Sequence, residues 1–462
     1  MSAVPAGIFR AYDIRGIVGD DVNSDVFRRI GQAYGTLVSR SGGSRVVVGR
    51  DGRLSSPELA SAFAAGVNDA GCAVLDAGLV PTPMLYFGIH HLEADGGVAV
   101  TASHNPGDYN GLKLCLGTRT LFGDDIQALR QAIEASDLDR GSCASRGIET
   151  VDLVEPYVDM VKERVHLERP VRVVIDAGNG VAGMIAPRMY RELGCEVEEM
   201  YCDVDGTFPN HHPDPTVPDA VAELGARVVE GGFDLGLGFD GDGDRVGVID
   251  ELGEIVWGDR LTILLARDVL ARNPGATVIF DVKCSKLLGN DIAARGGRPL
   301  MWKTGHSFIK QKIREEGALL AGEMSGHLFF GENFFGHDDA VYAGAKLMEI
   351  YSRQSEPFST QLDDLPEVFS TPEIRHPSTE EHKFAVCDRL RDELAANYDV
   401  IAIDGVRVEF DDGWGLARAS NTGPQIILRF EAQSPERLEQ IRQLVETRLA
   451  RVESELGATG GS

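Results

Sequence analysis

"RVVVGRDGRLSSPELASAFAAGVNDAGCAVLDAG", residues 45–78, reads as one complete structural unit. An apolar strand runs to a polar turn at Asp51, a helical segment follows, and Gly71-Cys72 returns the chain into a second apolar strand. "VRVVIDAGNGVAGMIAPRMYRELGCEVEEMY" (171–201) repeats this with its turn at Asp176, and "ATVIFDVKCSKLLGNDIAARGGRPLMWK" (276–303) repeats it again with Asp281. Strands alternating with helices predict βαβ units in a mixed sheet. Three copies so widely spaced predict three similar α/β domains rather than a solenoid. After about Pro372 the pattern changes. "EHKFAVCDRLRDELAAN" reads as a helix, "YDVIAIDGVRVEF" and "GPQIILRFEA" as strands, and "SPERLEQIRQLVETRLARVESEL" as a helix started by Ser434-Pro435. This predicts a smaller C-terminal α+β domain. The expected units are 1–150, 151–252, 253–368 and 369–462, and the final "GATGGS" is expected to be a flexible tail.

The 462 residues, 43% hydrophobic and 25% charged, fit a globular chain of several domains. "MSAVPAGIFRAYDIRG" lacks the basic and apolar regions of a secretory signal, and no apolar run reaches the length of a membrane span. Seven dispersed cysteines without a C-x-x-C pair predict reduced thiols and a cytoplasmic location, with no indication of zinc. A formal charge of −27 disfavours nucleic acid and anionic membranes as partners. An anionic small substrate would need a local concentration of Arg and Lys.

Several short stretches carry candidate chemistry. "VTASHNPGDYNGLK" (100–113) brings a serine, a histidine and a lysine together. Ser103 and His104 are neighbours whose side chains should point apart, so no Ser–His dyad is expected, and the stretch alone reads as a strand end and a turn. "GFDGDGDRVGV" (238–248) sets Asp240, Asp242 and Asp244 at alternate positions of a Gly-rich loop between apolar segments. Such carboxylates converge on a hard cation, and an EF-hand is excluded because Arg245 stands where that loop needs Gly. "WKTGHSFIK" (302–310) by itself reads as a helix start with a solvated basic face. "GEMSGH" (322–327) gathers Glu323, Ser325 and His327 on a tight loop or is a polar connection, and "RASNTGPQI" (418–426) is an Asx-type turn or a cradle for an oxyanion. "NHHPDP" (210–215) reads as a proline-stiffened structural segment rather than a metal site.

Taken in order, "FRAYDIRG" (9–16), "TASHNPGDYNGLK", "GFDGDGDRVG", "KTGHSFIK", "GEMSGH" and "RASNTGP" resemble the motif series of the α-D-phosphohexomutases, over essentially the whole chain. The likeness is closest to the bacterial phosphomannomutase/phosphoglucomutase branch. One departure is Leu112, where many relatives have Phe. The resemblance implies four domains around a central cleft and reversible phosphoryl transfer between C1 and C6 of glucose or mannose phosphates. It implies a phosphoserine at Ser103, a 1,6-bisphosphate intermediate, and glucose or mannose 1,6-bisphosphate as activator. It implies Mg²⁺ held by Asp240, Asp242, Asp244 and Ser103, with Arg15 and Arg245 near the transferring group. Lys113 becomes the acid/base on the serine side and His306 the base for the sugar hydroxyl. Tyr12, Lys283, Glu323, Ser325 and His327 become substrate contacts, and Arg418, Ser420, Asn421 and Thr422 hold the phosphate that is not transferred. A monomer is expected. Phosphoglucosamine mutases, the alternative, typically carry Gln where Met324 stands. A silent phosphosugar-binding protein would lack the serine, and a phosphatase would have to admit water to it.

Overall fold

Each repeat folds as its sequence predicts in this computed structural model, which describes residues 4–141, 147–421 and 423–457. Thr422 and nearly all of the predicted tail lie outside the described residues. Arg45–Arg50 pairs in parallel with Ala73–Leu79, Arg172–Asp176 with Glu196–Met200, and Thr277–Asp281 with Arg298–Trp302. The intervening helices are Ser56–Asp69, Ala186–Glu192 and Lys286–Ala294. In every repeat the first strand pairs on its other side, again in parallel, with a strand that opens an antiparallel hairpin. Those hairpins are Gly96–Val100 with Tyr109–Leu116, Leu235–Phe239 with Val246–Asp250, and Leu320–Gly322 with Leu328–Phe330. The turns 101–108, 240–245 and 323–327 therefore occupy one equivalent place in three sheets. The architecture is α/β with mixed sheets, as expected.

The last sheet is antiparallel, and its longest pairing is Gly413–Ala419 with Gln425–Ala432, joined by the turn 420–424. Gly413–Ala419 is fully buried, yet "GWGLARA" gives little strand signal because two glycines interrupt it. Ser434 caps the helix Pro435–Glu455 by accepting from Arg437 N at 3.2 Å. Ile441, Val445, Leu449 and Val452 form its buried stripe.

One large apolar core runs from the helix Thr82–His91 through the second and third sheets, so the first three domains are welded together. The fourth domain has its own core. It meets the third through an apolar seam of Val282, Trp414 and Leu416, flanked by polar ties such as Thr304 N to Asp404 at 3.1 Å and Lys286 Nζ to Phe410 O at 2.8 Å. There Arg407 donates to the carbonyls of Val282 and Cys284 at 2.7 Å and lies 3.7 Å from the Trp414 ring centre.

A buried carboxyl ties the welded domains. Tyr157, on the helix Val154–Arg164, donates to both oxygens of Asp339 at 2.9 Å, while Asp339 caps the helix Ala340–Ser352 by accepting from Tyr342 N. Burial pushes the Asp339 carboxyl up to about 7, against the pull of its hydrogen-bond donors. The native state therefore keeps this proton after the unfolded chain has lost it, so stability present at acid pH is lost as pH rises toward 7. Asn keeps the cap acceptor and removes the titration. The melting temperature of Asp339→Asn, relative to wild type, should climb between about pH 4 and 7 and level off above; a flat difference would refute the assignment.

Candidate active site

The four hairpin turns converge on a cavity of about 610 Å³ lined by Ser103 and His104, Arg245, Glu323 to Ser325 and His327, and Arg418, Ser420 and Asn421, among the described residues. Tyr12, Arg15, Lys113, Lys283 and His306 also line it. Arg375 and Arg429 join them. The cleft of this acidic chain thus holds the concentration of cations that an anionic substrate needs.

Ser103 adopts φ 52°, the left-handed region, uncommon for a residue with a side chain. The turn holds it there by an interaction that sequence reading missed. The fully buried Arg53 guanidinium, anchored by Asp51 at 3.0 Å, donates to the carbonyls of Ser103 at 2.8 Å, Asn105 at 2.6 Å, Pro106 at 2.5 Å and Tyr109 at 3.2 Å. An Arg in a polar turn looks solvent-facing in sequence, and nothing in "GRDGR" marks it otherwise. The left-handed kink also corrects the expectation that Ser103 and His104 diverge. Their Oγ and Nδ1 atoms are 3.1 Å apart, and Ser103 Oγ is 2.9 Å from Asp240 Oδ2. Burial, then Arg245 and Arg15, hold the His104 pKa well below its ordinary value, so the ring beside the hydroxyl is neutral, while Ser103 Oγ donates to Asp240. Gly241 is required at the crossing, because a Cβ there would meet Ser103 O at 2.5 Å.

Asp240, Asp242 and Asp244 are fully buried, with carboxylate oxygens within 4.8 Å of one another. Asp240 accepts from the backbone N–H groups of Asp244 and Arg245 at 3.0 and 3.1 Å. Lys113 Nζ donates to Asp242 at 2.7 Å and to Asp244 at 2.5 Å, and Thr82 Oγ1 donates to Asp242 at 2.6 Å. Burial and the two neighbouring carboxylates push the Asp240 pKa well up. Burial also works against the Lys113 ammonium, but Asp242, Asp244 and Asp240 together raise its pKa. Asp242 Oδ1 is buried without a hydrogen-bond donor, and Asp244 Oδ1 faces His327 Nε2 at 3.3 Å. Hard oxygen donors, an excess of negative charge and an orphaned carboxylate oxygen are what a hard cation requires. The residues fit a metal site.

The stretch 302–310 does start a helix, His306–Glu316, but His306 and Lys310 are buried and only Lys303 is exposed, so the solvated basic face is corrected. Burial, then Lys310 and Lys113, push the His306 pKa well below its usual value. His327, whose ring lies parallel to that of His306 with centres 5.8 Å apart, behaves oppositely. Burial opposes its charge, yet Asp244 at 3.3 Å and Glu323 at 3.2 Å bring its pKa up to about 9. Glu323 also accepts from Gly305 N at 2.6 Å, and Ser325 Oγ is 3.0 Å from His327 Nδ1. Arg418 is held by Asp404 at 2.8 Å and Lys283 by Glu373 at 3.1 Å. Tyr12 spans the cleft, donating to Thr304 O at 2.9 Å and accepting from Asn421. Arg15 is fixed by Asp13 and Asn105, each at 2.5 Å. Every described residue expected in the site thus lines the cleft or lies directly beneath it. In "NHHPDP" His211 Nε2 lies 2.9 Å from Asp176 Oδ2.

Comparison with known proteins agrees with this geometry. Family models for phosphoglucomutase/phosphomannomutase match in order, alpha/beta/alpha domain I over residues 6–140, domain II over 155–253, domain III over 257–369 and the C-terminal domain over 373–447. The chain belongs to the phosphoglucomutase/phosphomannomutase family. It is 50% identical to the phosphomannomutase/phosphoglucomutase of Pseudomonas aeruginosa, over 98% of this chain and 97% of that one. It is 47% identical to a phosphoglucomutase of Neisseria gonorrhoeae over 96% of each. A family crystal structure from Burkholderia thailandensis superposes with a TM-score of 0.91 at 45% identity, covering 97% of this chain and 98% of that one. The four domains of this chain follow the order of the family's four domain models. Among the described residues no helix is long and apolar enough to cross a membrane.

Proposed function

We propose that this family member is a hexose-phosphate mutase that interconverts the 1- and 6-phosphates of glucose and mannose by way of Ser103 and a bound 1,6-bisphosphate. The observation that carries the reading is Ser103 Oγ, 2.9 Å from a buried carboxylate of the aspartate loop, on the wall of a cleft lined with Arg and Lys. Phosphoryl transfer asks a protein for positioning and charge neutralisation. In the forward half, the sugar hydroxyl attacks the phosphorus of phosphoserine 103, the P–Oγ bond breaks, and Ser103 leaves as its hydroxyl. His306, kept neutral by its surroundings, takes the sugar proton. Lys113, held as an ammonium, supplies the proton to Ser103 Oγ. Arg15 and Arg245 face the transferring group. Asp240, Asp242 and Asp244 would hold Mg²⁺, which when bound neutralises the phosphoserine and polarises its phosphorus.

The bisphosphate must then turn over to present its other end. Exchanging C1 with C6 roughly exchanges O3 with O4, whereas O2 has no counterpart. One loop serving both orientations reads O3 and O4, and "GEMSGH" supplies Glu323, Ser325 and His327 on the cleft wall. Arg418, Ser420, Asn421 and Thr422 clamp the phosphate at rest, and Lys283 and Tyr12 border the same region. The fourth domain, which has a core of its own, is the part that would close on that phosphate. The chain is read as a monomer, since its own loops complete the cleft, and as cytoplasmic, where dispersed cysteines stay reduced.

Purified protein should carry a form about 80 Da heavier, and Ser103→Ala should lose it together with roughly three or more orders of magnitude in kcat; activity within tenfold of wild type would reject the serine. Chelation should abolish turnover and Mg²⁺ restore it, while Asp242→Asn should require far more Mg²⁺; an unchanged Mg²⁺ dependence would remove the aspartate loop from the metal site. Glucose and mannose 1-phosphates should have kcat/KM values within about a hundredfold, roughly 3 kcal/mol or less, with glucosamine 1-phosphate poorer. No turnover of mannose 1-phosphate would defeat the unread-O2 argument, and glucosamine 1-phosphate proving best by about tenfold would favour the phosphoglucosamine reading.

A further inference from the structure

Behind His306 lies a carboxylate that the proposed chemistry has not used. Asp338 has no solvent exposure, and its backbone is pinned on both sides. It bridges to Phe329, and the next residue caps the helix Ala340–Ser352. Its Oδ1 accepts from the buried Lys310 ammonium at 3.0 Å, and that ammonium sits 4.1 Å from the Tyr86 ring centre. Its Oδ2 is buried with no donor, and so is His306 Nδ1 with no partner. These two atoms are 3.8 Å apart. A small ring rotation brings them into hydrogen-bond range, and neither has another group to satisfy it.

Asp338 Oδ2 is also 3.9 Å from His327 Nε2, but His327 is already fixed at both nitrogens. Its Nδ1 faces Glu323 and Ser325, and its Nε2 faces Asp244 and the Nε of Arg245. Asp244, His327 and Asp338 also have the spacing of a metal site. Three cations already occupy that space, with Lys310 on Asp338, Lys113 on Asp244 and Arg245 on His327.

We propose that Asp338 is a positioning residue for the transfer step, accepting a hydrogen bond from His306 Nδ1–H and thereby fixing the tautomer that leaves Nε2 unprotonated for the sugar hydroxyl. Lys310 neutralises Asp338, so the carboxylate orients the ring without drawing a second proton onto it. The inference rests on the reading of His306 as the base. The charge state of Lys310 makes an isosteric test sharp. In Asp338→Asn the ammonium claims the amide oxygen, since only that atom accepts, and the amide NH₂ is left facing His306 Nδ1. Nδ1 must then accept, the proton moves to Nε2, and the base is lost at unchanged shape.

The experiment is ¹⁵N-histidine NMR of the full-length protein, with His306 identified by its absence in His306→Gln, alongside steady-state kinetics. Wild type should show His306 protonated at Nδ1 and Asp338→Asn at Nε2. kcat should fall by about a hundredfold or more with KM within about threefold, as expected when a buried acceptor is turned into a donor. Lys310→Met in the Asp338→Asn background frees the amide to turn, and should restore the wild-type tautomer and part of kcat. An Asp338→Asn enzyme with the wild-type tautomer would overturn the proposal, as would a loss that multiplies in full on top of His306→Ala. The tautomer is read without substrate, so it judges Asp338 separately from the function. Unchanged kcat in His306→Ala would instead remove the role given to His306.

Discussion

Three carboxylates on one turn, sealed from water, cannot coexist without cations. At about 4 Å and an effective dielectric of about 20, two like charges repel by roughly 4 kcal/mol. Asp240, Asp242 and Asp244 present three such pairs. The second domain cannot relieve this alone, because its own loop offers only backbone N–H groups and Arg245. Relief comes from the first domain, in the Lys113 ammonium and the Thr82 hydroxyl. Such contacts work only if the two domains keep a fixed relation to within tenths of an ångström. The continuous core beneath them supplies that rigidity.

The repeat then explains how four distant stretches of sequence reach one cleft. Each α/β domain spends its hairpin turn at the same end of the same strand pair, and the antiparallel domain contributes a turn of its own. The chemistry differs among them because only the turn residues differ. The first carries a serine, the second carboxylates, the third a glutamate and histidine, and the fourth a serine and an asparagine beside Arg418 at the strand end. Against a chain charge of −27, the Arg and Lys gathered on these walls make the cleft a local exception to the surface around it.

Much of this was legible in the sequence, for identifiable reasons. Strand and helix periodicity is local, so the three βαβ units and the C-terminal helices could be read directly. The aspartate loop was readable because its charges are adjacent in the chain. What failed was whatever depended on tertiary context. "WKTGHSFIK" looked like a wet basic face, yet Asp338, far along the chain, buries its Lys310. The Ser103–His104 geometry assumed an ordinary backbone, and Arg53 imposes a left-handed one from fifty positions away. Gly413–Ala419 hid as a strand because its glycines pack under Ile441 and Phe430, contacts invisible to propensity.

The same tertiary context separates the two histidines of the cleft. His306 and His327 have rings in parallel, and an unperturbed imidazole would titrate near neutrality in either place. Two lysines beside His306 oppose its proton, and two carboxylates beside His327 retain it. One ring is held toward its neutral form and the other toward its charged form. Exchanging their surroundings would exchange their duties without altering either residue. When environment drives two neighbouring titratable groups apart, it assigns a base and an electrostatic partner. The carboxylates and lysines behind the rings therefore decide the chemistry as much as the rings do. A transfer that must run in both directions through one serine needs that division to hold in every state of the sugar, and buried ion pairs, unlike solvated ones, do not relax when the ligand turns.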